Sequence, residues 1–217
     1  MKRILVAIAV ASSAVLLALA CWGFGNLASF PDQPARVAAC ASLWLWLVAM
    51  WSAKRQGPSV ESQEDSQRLF TNVNGMLMLL TMAAFPLLDS HGWLQVEPSW
   101  IRWLGVGLLS AGAFLHEWSR MALGEWFSPQ IVIKQGHEIV EGGPYRMLRH
   151  PIYTAFMMIQ AGYGAAFGSW AEALVVLAQG VVLAFRIPAE ERLLEAKFGD
   201  RYREFSRRRY RLIPFLF

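Results

Sequence analysis

The chain has 217 residues, of which 55% are hydrophobic and only 17% charged, with a formal net charge of +4. That composition is too apolar for an ordinary soluble domain and directs the reading to the membrane. A nucleic-acid role for Arg207-Arg208-Arg209 is the weaker reading, because no folded basic domain accompanies the run, and the positive charge suits orientation against anionic inner-leaflet lipid.

Six apolar runs are long enough, or nearly so, to cross a hydrocarbon core, which takes about 20 helical residues. They are Ile4–Trp22, Val37–Trp51, Phe70–Leu88, Trp100–Trp118, Ile152–Phe167 and Ala171–Phe185. The expected fold is an all-α integral membrane protein with about six transmembrane helices, an ordered inner-face loop and a C-terminal amphipathic helix. Lys2-Arg3 ahead of an apolar run ending at Ala20-Cys21 resembles a signal peptide, but five further runs follow and an uncleaved first helix is expected. The fifth and sixth runs are short and carry Gln160, Gln179 and several glycines, which suits packing against other helices. Cys21 and Cys40 both fall within apolar runs and read as free buried thiols.

With the N-terminus inside, 18 of the 20 Lys and Arg residues fall on the inner side, and only Arg36 and Arg102 fall outside. This is the asymmetry of the positive-inside rule, so both termini are expected on the cytoplasmic side of a multi-pass protein. The connector Ser52–Gln67 reads as an inner loop and Asp89–Ser99 as an outer turn with aromatic anchors. Residues 1–122 form a four-span scaffold in this reading, and 123–217 a second region of inner loop, two spans and C-terminal helix.

That second region is different in character. From Leu123 to Tyr145 the sequence is punctuated by Gly and Pro, and Ile131–Lys134 and Glu138–Glu141 flank Gly136-His137 as a hairpin would. Pro188 is placed to restart a helix, with Glu190 and Glu191 near its positive end. Leu194, Phe198, Tyr202 and Phe205 recur at close to helical spacing, which predicts an amphipathic C-terminal helix.

Several catalytic motifs are missing. His116-Glu117 has no second histidine at zinc-ligand spacing, and neither a Gly-x-Ser-x-Gly elbow nor a P-loop is present. Gly105-x-Gly107 lies inside a span and reads as a helix-packing feature. What remains is a pair of polar clusters at span ends: Gly142 to Tyr153, and Arg186 to Glu191. Singly, their arginines serve as topology signals, His150-Pro151 as a helix start and the glutamates as dipole partners. Together they are polar groups gathered at one membrane boundary, where binding is the default expectation.

The ordered set Gly136-His137-Glu138-Ile139-Val140, Gly143-Pro144-Tyr145, Arg149-His150-Pro151-Ile152-Tyr153, Arg186 with Glu190-Glu191, Phe198-Gly199 with Tyr202, and Arg208 before Pro214 resembles the isoprenylcysteine carboxyl methyltransferase family and related membrane phospholipid methyltransferases. The resemblance covers Leu123 to Pro214, with Phe205 standing where a tyrosine is commoner and Thr154-Ala155 where smaller residues often follow the tyrosine. It implies S-adenosylmethionine as methyl donor, held on the inner side between the last two spans and the C-terminal helix. The cofactor-binding residues it implies are His137, Ile139, Val140, Tyr145, His150, Pro151, Tyr153 and Glu191. Arg208, Arg186 and Glu190 are the catalytic candidates, and no metal is called for. The implied partners are membrane lipid and a lipidic or small-molecule methyl acceptor, with no nucleic acid. Arg208 follows Glu191 by seventeen residues, about 25 Å along a continuous helix, so the chain must turn back after Tyr202 for both to serve one site.

Two other readings compete. An NADPH-dependent membrane reductase of the steroid-reductase type would need a cluster for the cofactor 2′-phosphate, which is not evident. A non-catalytic membrane protein would use both clusters only as inner-face anchors.

Overall fold

A computed structural model of the chain describes residues 2–52, 65–95, 99–127 and 138–213. The described residues form an all-helical bundle: α1 Lys2–Trp22, α2 Pro34–Ser52, α3 Asp65–Ser90, α4 Trp100–Leu123, α5 Pro151–Ala166, α6 Glu172–Phe198 and α7 Asp200–Arg207, with short 3-10 turns between them. No strand occurs among them, only isolated bridges pairing Gln95 with Ser169 and Leu148 with Tyr210. Ile131–Lys134 and Gly136-His137 of the expected hairpin lie outside the described residues, as does most of the Ser52–Gln67 connector. Residues 138–141 take no regular structure.

Three helices, α1, α2 and α6, are long and apolar enough to cross a membrane, and the Gly75–Ser90 part of α3 is a shorter apolar helix. The apolar surface they leave uncovered includes Leu5, Leu16, Leu45, Leu79, Leu177 and Phe185. A chain with such faces belongs in a membrane.

Helices α4 and α5 meet backbone to backbone. A Cβ at Gly162 would lie 2.3 Å from the Leu109 amide nitrogen, and one at Gly105 would lie 2.4 Å from that of Ala166. Small residues allow this approach, as they do between membrane helices generally. Gly107 faces open space, so only Gly105 of the expected pair packs. Around this contact Trp46, Phe85, Leu109, Ile159, Tyr163 and Phe167 form the main core. His116 belongs to it, edge-on to Trp46 at 5.3 Å and to Phe156 at 5.2 Å, with Nδ1 3.0 Å from Glu117 Oε1.

One end of the bundle is closed by charge. Asp89, buried at the end of α3, accepts from Arg36 Nε at 2.7 Å and from Arg102 Nη2 at 2.9 Å, and Gln95 Nε2 donates to it at 3.0 Å. The Arg36 guanidinium also lies 4.2 Å over the Trp22 ring. At the opposite end, α6 runs unbroken through Pro188, which sits in the helix interior and starts no new helix. The apolar contacts of Leu183 and Ile187 with Leu212 hold the helix on course past the missing proline N–H. The chain reverses at Gly199, with φ of 56°, a conformation that suits glycine. The turn therefore comes before Tyr202 rather than after it. Tyr202 and Phe205 then bury α7 against the bundle.

Candidate functional site

The site is assembled where α5 starts, α6 ends and the segment after α7 returns. Pro151 opens α5 at its first position, which fixes His150 just outside the helix with φ of −127°. The returning segment then pairs with this entry. Tyr210 N donates to the Met147 carbonyl at 3.0 Å, Arg149 N to the Tyr210 carbonyl at 2.8 Å, and His150 N to the Arg211 carbonyl at 3.1 Å. Thr154 Oγ1 adds a bond to the Leu212 carbonyl at 2.7 Å. Residues 209–212 thus form a strap across the head of α5.

Arginine side chains fasten the strap. Arg209 stacks over the Phe205 ring at 4.1 Å, donates to the Tyr145 carbonyl at 2.7 Å and pairs with Glu141 at 2.7 Å. Arg149 Nε reaches the Arg209 carbonyl at 3.0 Å. The Glu191 carboxylate receives Arg149 Nη1 at 2.8 Å and Arg211 Nη2 at 2.9 Å, and His150 Nε2 lies 3.4 Å away. One turn of α5 further in, Tyr153 donates to Glu190 Oε2 at 2.5 Å and accepts from Arg186 Nε at 3.2 Å. The His150 and Tyr153 rings stack with centroids 5.5 Å apart.

Two phenols complete the wall. Burial raises the pKa of Tyr145, and the charge of Glu190 raises it further, so its hydroxyl stays protonated at any physiological pH. Tyr202 is raised in the same way, first by burial and then by Glu191 and Glu190. Its hydroxyl is buried and has no hydrogen-bond partner among the described residues. An unpaired buried hydroxyl is costly, so a polar ligand group there would be favoured.

Of the residues expected from sequence, Tyr145, His150, Pro151, Tyr153, Arg186, Glu190 and Glu191 are brought to this one place. Pro151 is fully buried and serves the helix start. Ile139 and Val140 are half-buried on the approach to Tyr145, and His137 lies outside the described residues. Arg208 does not join the cluster; its side chain is 73% exposed and pairs with Glu204 at 2.8 Å. The arginines that return are Arg209 and Arg211, which sequence reasoning did not single out. Their spacing of two, which shares a face in extended chain, was the available signal. Arg149 and Tyr202 belong to the sequence motifs, and the structure adds both to the site.

A polar cluster of this kind at the end of apolar helices defines a membrane-embedded binding protein or enzyme. Comparison with known proteins narrows the class. Residues 100–201 match the family model described as phospholipid methyltransferase, a segment that holds α4, α5, α6 and the Tyr153, Arg186, Glu190 and Glu191 side chains. Protein-S-isoprenylcysteine O-methyltransferase B of Arabidopsis thaliana is 30% identical over 61% of this chain and 65% of its own length. Protein-S-isoprenylcysteine O-methyltransferase A of the same plant is 28% identical over 70% of this chain and 78% of its own. The protein-S-isoprenylcysteine O-methyltransferase of Schizosaccharomyces pombe is 28% identical over 48% of this chain and 45% of its own. Over these segments the chain is similar to membrane methyltransferases, the isoprenylcysteine enzymes among them. The matches to the first and third of these span less than two thirds of the relative's length.

Proposed function

We propose that the protein is an integral membrane methyltransferase that uses S-adenosylmethionine and acts on a lipidic or small membrane-accessible acceptor. The observation that carries this reading is the convergence of Tyr153, Glu190, Glu191 and Tyr202 on one inner-end cluster, inside and just after the segment matched by the family. Six spans with both termini inside remain the topology that the basic residues favour.

The donor set suits the cofactor. S-adenosylmethionine, when bound, supplies a methyl group activated by a sulfonium. Glu191 and Glu190 offer carboxylates for its ammonium, and the Tyr202 hydroxyl offers a donor for its carboxylate. Tyr145, with Ile139 and Val140, gives a flat apolar wall for the nucleoside, and His137 stands ahead of them in the sequence. His150, Pro151 and Tyr153 shape the floor. The Glu191 oxygen that faces Arg211 would hold that ammonium, since Arg149 and His150 already lie on the other oxygen. Arg186 and Glu190, joined through Tyr153, stand nearest the bilayer and orient the acceptor. Arg208 enters this scheme only by leaving Glu204.

The named relatives act on protein S-isoprenylcysteine, and by kinship a carboxylate on a prenylated cysteine is the first acceptor to test here. The acceptor oxygen would take the methyl carbon as the carbon–sulfur bond breaks, releasing a neutral thioether, so positioning of the two partners supplies much of the acceleration. Calorimetry in detergent should find binding of S-adenosylhomocysteine and none of NADPH, followed by labelled methyl transfer to N-acetyl-S-farnesylcysteine or to a lipid extract. Binding of NADPH alone would transfer the site to a reductase, and binding of neither ligand would return the clusters to inner-face anchors.

A further inference from the structure

Outside the polar cluster, the side of α6 carries a groove of about 170 Å³ lined by Gly180, Leu183, Ala184, Ile187, Pro188 and Leu212, with Arg211 at its inner end. From Gly180 to Pro188 the lining positions recur at helical spacing over eight residues, about 12 Å at 1.5 Å per residue. The walls are apolar, and Phe185 and Val181 beside them are exposed as lipid-facing residues are. At the mouth, the Arg211 side chain is 35% exposed although it pairs with Glu191.

The geometry points to a seat for one anionic phospholipid, with part of an acyl chain in the groove and the phosphate on Arg211. This rests on the membrane placement of α6 and not on methyl transfer. Charge selects the class of lipid, because an arginine at a membrane boundary favours an anionic headgroup and a zwitterionic one gains less. Leu183, Ile187 and Leu212 of the groove wall also pack against Tyr153, whereas Ala184 and Pro188 lie about 160° around the helix from Arg186, so a chain along their side runs beside the Tyr153–Glu190 pair and ends at Arg211. Through Arg211 the lipid also touches the strap, since the same guanidinium binds Glu191 and the Arg211 carbonyl accepts from His150.

The full chain purified in mild detergent with equal phosphatidylglycerol and phosphatidylcholine should, by native mass spectrometry, retain the anionic lipid by about fivefold or more, the factor expected from one basic side chain. Arg211→Gln should erase the preference. Gly180→Leu should lower retention of both lipids, since a Cβ there meets no protein atom within 4 Å and the larger side chain enters the groove. Because a side chain at Gly180 enters space with no protein atom within 4 Å, this second variant decides the matter even if Arg211→Gln does not fold. Equal retention of the two lipids, or a preference that survives both substitutions, would overturn the proposal. Displacement of the lipid by N-acetyl-S-farnesylcysteine would also overturn it, assigning the groove to the acceptor chain. Failure to bind S-adenosylhomocysteine would leave it untouched.

Discussion

Arg209 donates to the Tyr145 carbonyl at 2.7 Å across 64 residues of sequence, and that contact ties the end of the chain to the loop before α5. The same guanidinium covers Phe205 and reaches Glu141, so one side chain holds the strap, the loop and α7 together. Arg208, its neighbour, faces solvent. A planar fork is needed to serve a carbonyl and a carboxylate while stacked on a ring, and lysine offers none. Arg209→Lys is therefore expected to weaken S-adenosylhomocysteine binding about tenfold, the cost of one charge-assisted hydrogen bond. Arg208→Lys should leave that affinity unchanged, with any effect confined to methyl transfer. Calorimetry on both variants checks this, and equal losses would remove the strap from the cofactor site.

Glu191 collects Arg149, His150 and Arg211, so the proposed cofactor contact and the local structure meet on one carboxylate. Glu191→Gln keeps the shape and removes the charge, and is expected to lower affinity for the product cofactor by roughly 10- to 100-fold, the worth of about 1.5–3 kcal/mol. His150→Ala should act in the same direction and also loosen Tyr153, on which the histidine ring stacks. Asp200→Asn, at an exposed pair with Arg203, is the control. Unchanged binding in both site variants would mean that the cluster only joins α5 to α6.

Tyr153→Phe isolates the inner pair. The hydroxyl links Glu190 to Arg186, and its loss leaves each without one partner while the apolar packing on Leu183 and Ile187 stays. If these groups orient the acceptor, turnover should fall about tenfold or more with little change in cofactor affinity. Measuring kcat beside calorimetric affinity separates the two effects. A loss of affinity with normal turnover would place Tyr153 in the cofactor seat instead.

Much of this architecture was legible because apolar runs and proline positions are local signals. Pro151 marked the start of α5, and the spacing of Tyr202 and Phe205 marked the buried face of α7. The gathering of Tyr153, Arg186, Glu190 and Glu191 followed from two runs joined by a short turn. Other features depend on tertiary contact. Pro188 reads as a helix start, yet contacts with Leu212 keep α6 continuous through it. The strap was hidden because its bonds run from residues 209–212 to residues 145–154, and the spacing of Arg209 and Arg211 does not say which partners they meet. Arg36 and Arg102 read only as stray outer charges until Asp89 is seen between them.

The α4–α5 contact gives a test of packing. Gly162→Ala puts a Cβ 2.3 Å from the Leu109 amide nitrogen, against backbone that has no rotamer with which to yield. The helices must separate, at a cost of about 1–3 kcal/mol. Gly107→Ala meets nothing within 4 Å and should be neutral or slightly stabilising, since alanine favours helix. Thermal unfolding in one detergent should rank Gly162→Ala below the parent and Gly107→Ala at or above it. Equal midpoints would show that the two helices are not in backbone contact.

The strongest stability prediction concerns Asp89. Its side chain is fully buried between Arg36 and Arg102, whose side chains are 9% and 5% exposed. Asp89→Ala leaves two buried guanidiniums without their counter-charge, which costs about 3–5 kcal/mol. For a chain of this size, that corresponds to a fall in thermal midpoint of roughly 6–20 °C. Desolvation and attraction nearly cancel in a complete buried cluster, so replacing all three together with apolar residues should recover much of the loss. Arg36→Met with Asp89→Leu and Arg102→Met is that test. If Asp89→Ala melts with the parent, the charges are hydrated and the cluster does not close this end of the bundle. If the triple variant is no more stable than Asp89→Ala, the hydrogen bonds of Arg36 to the Ser29 and Phe30 carbonyls matter more than charge balance.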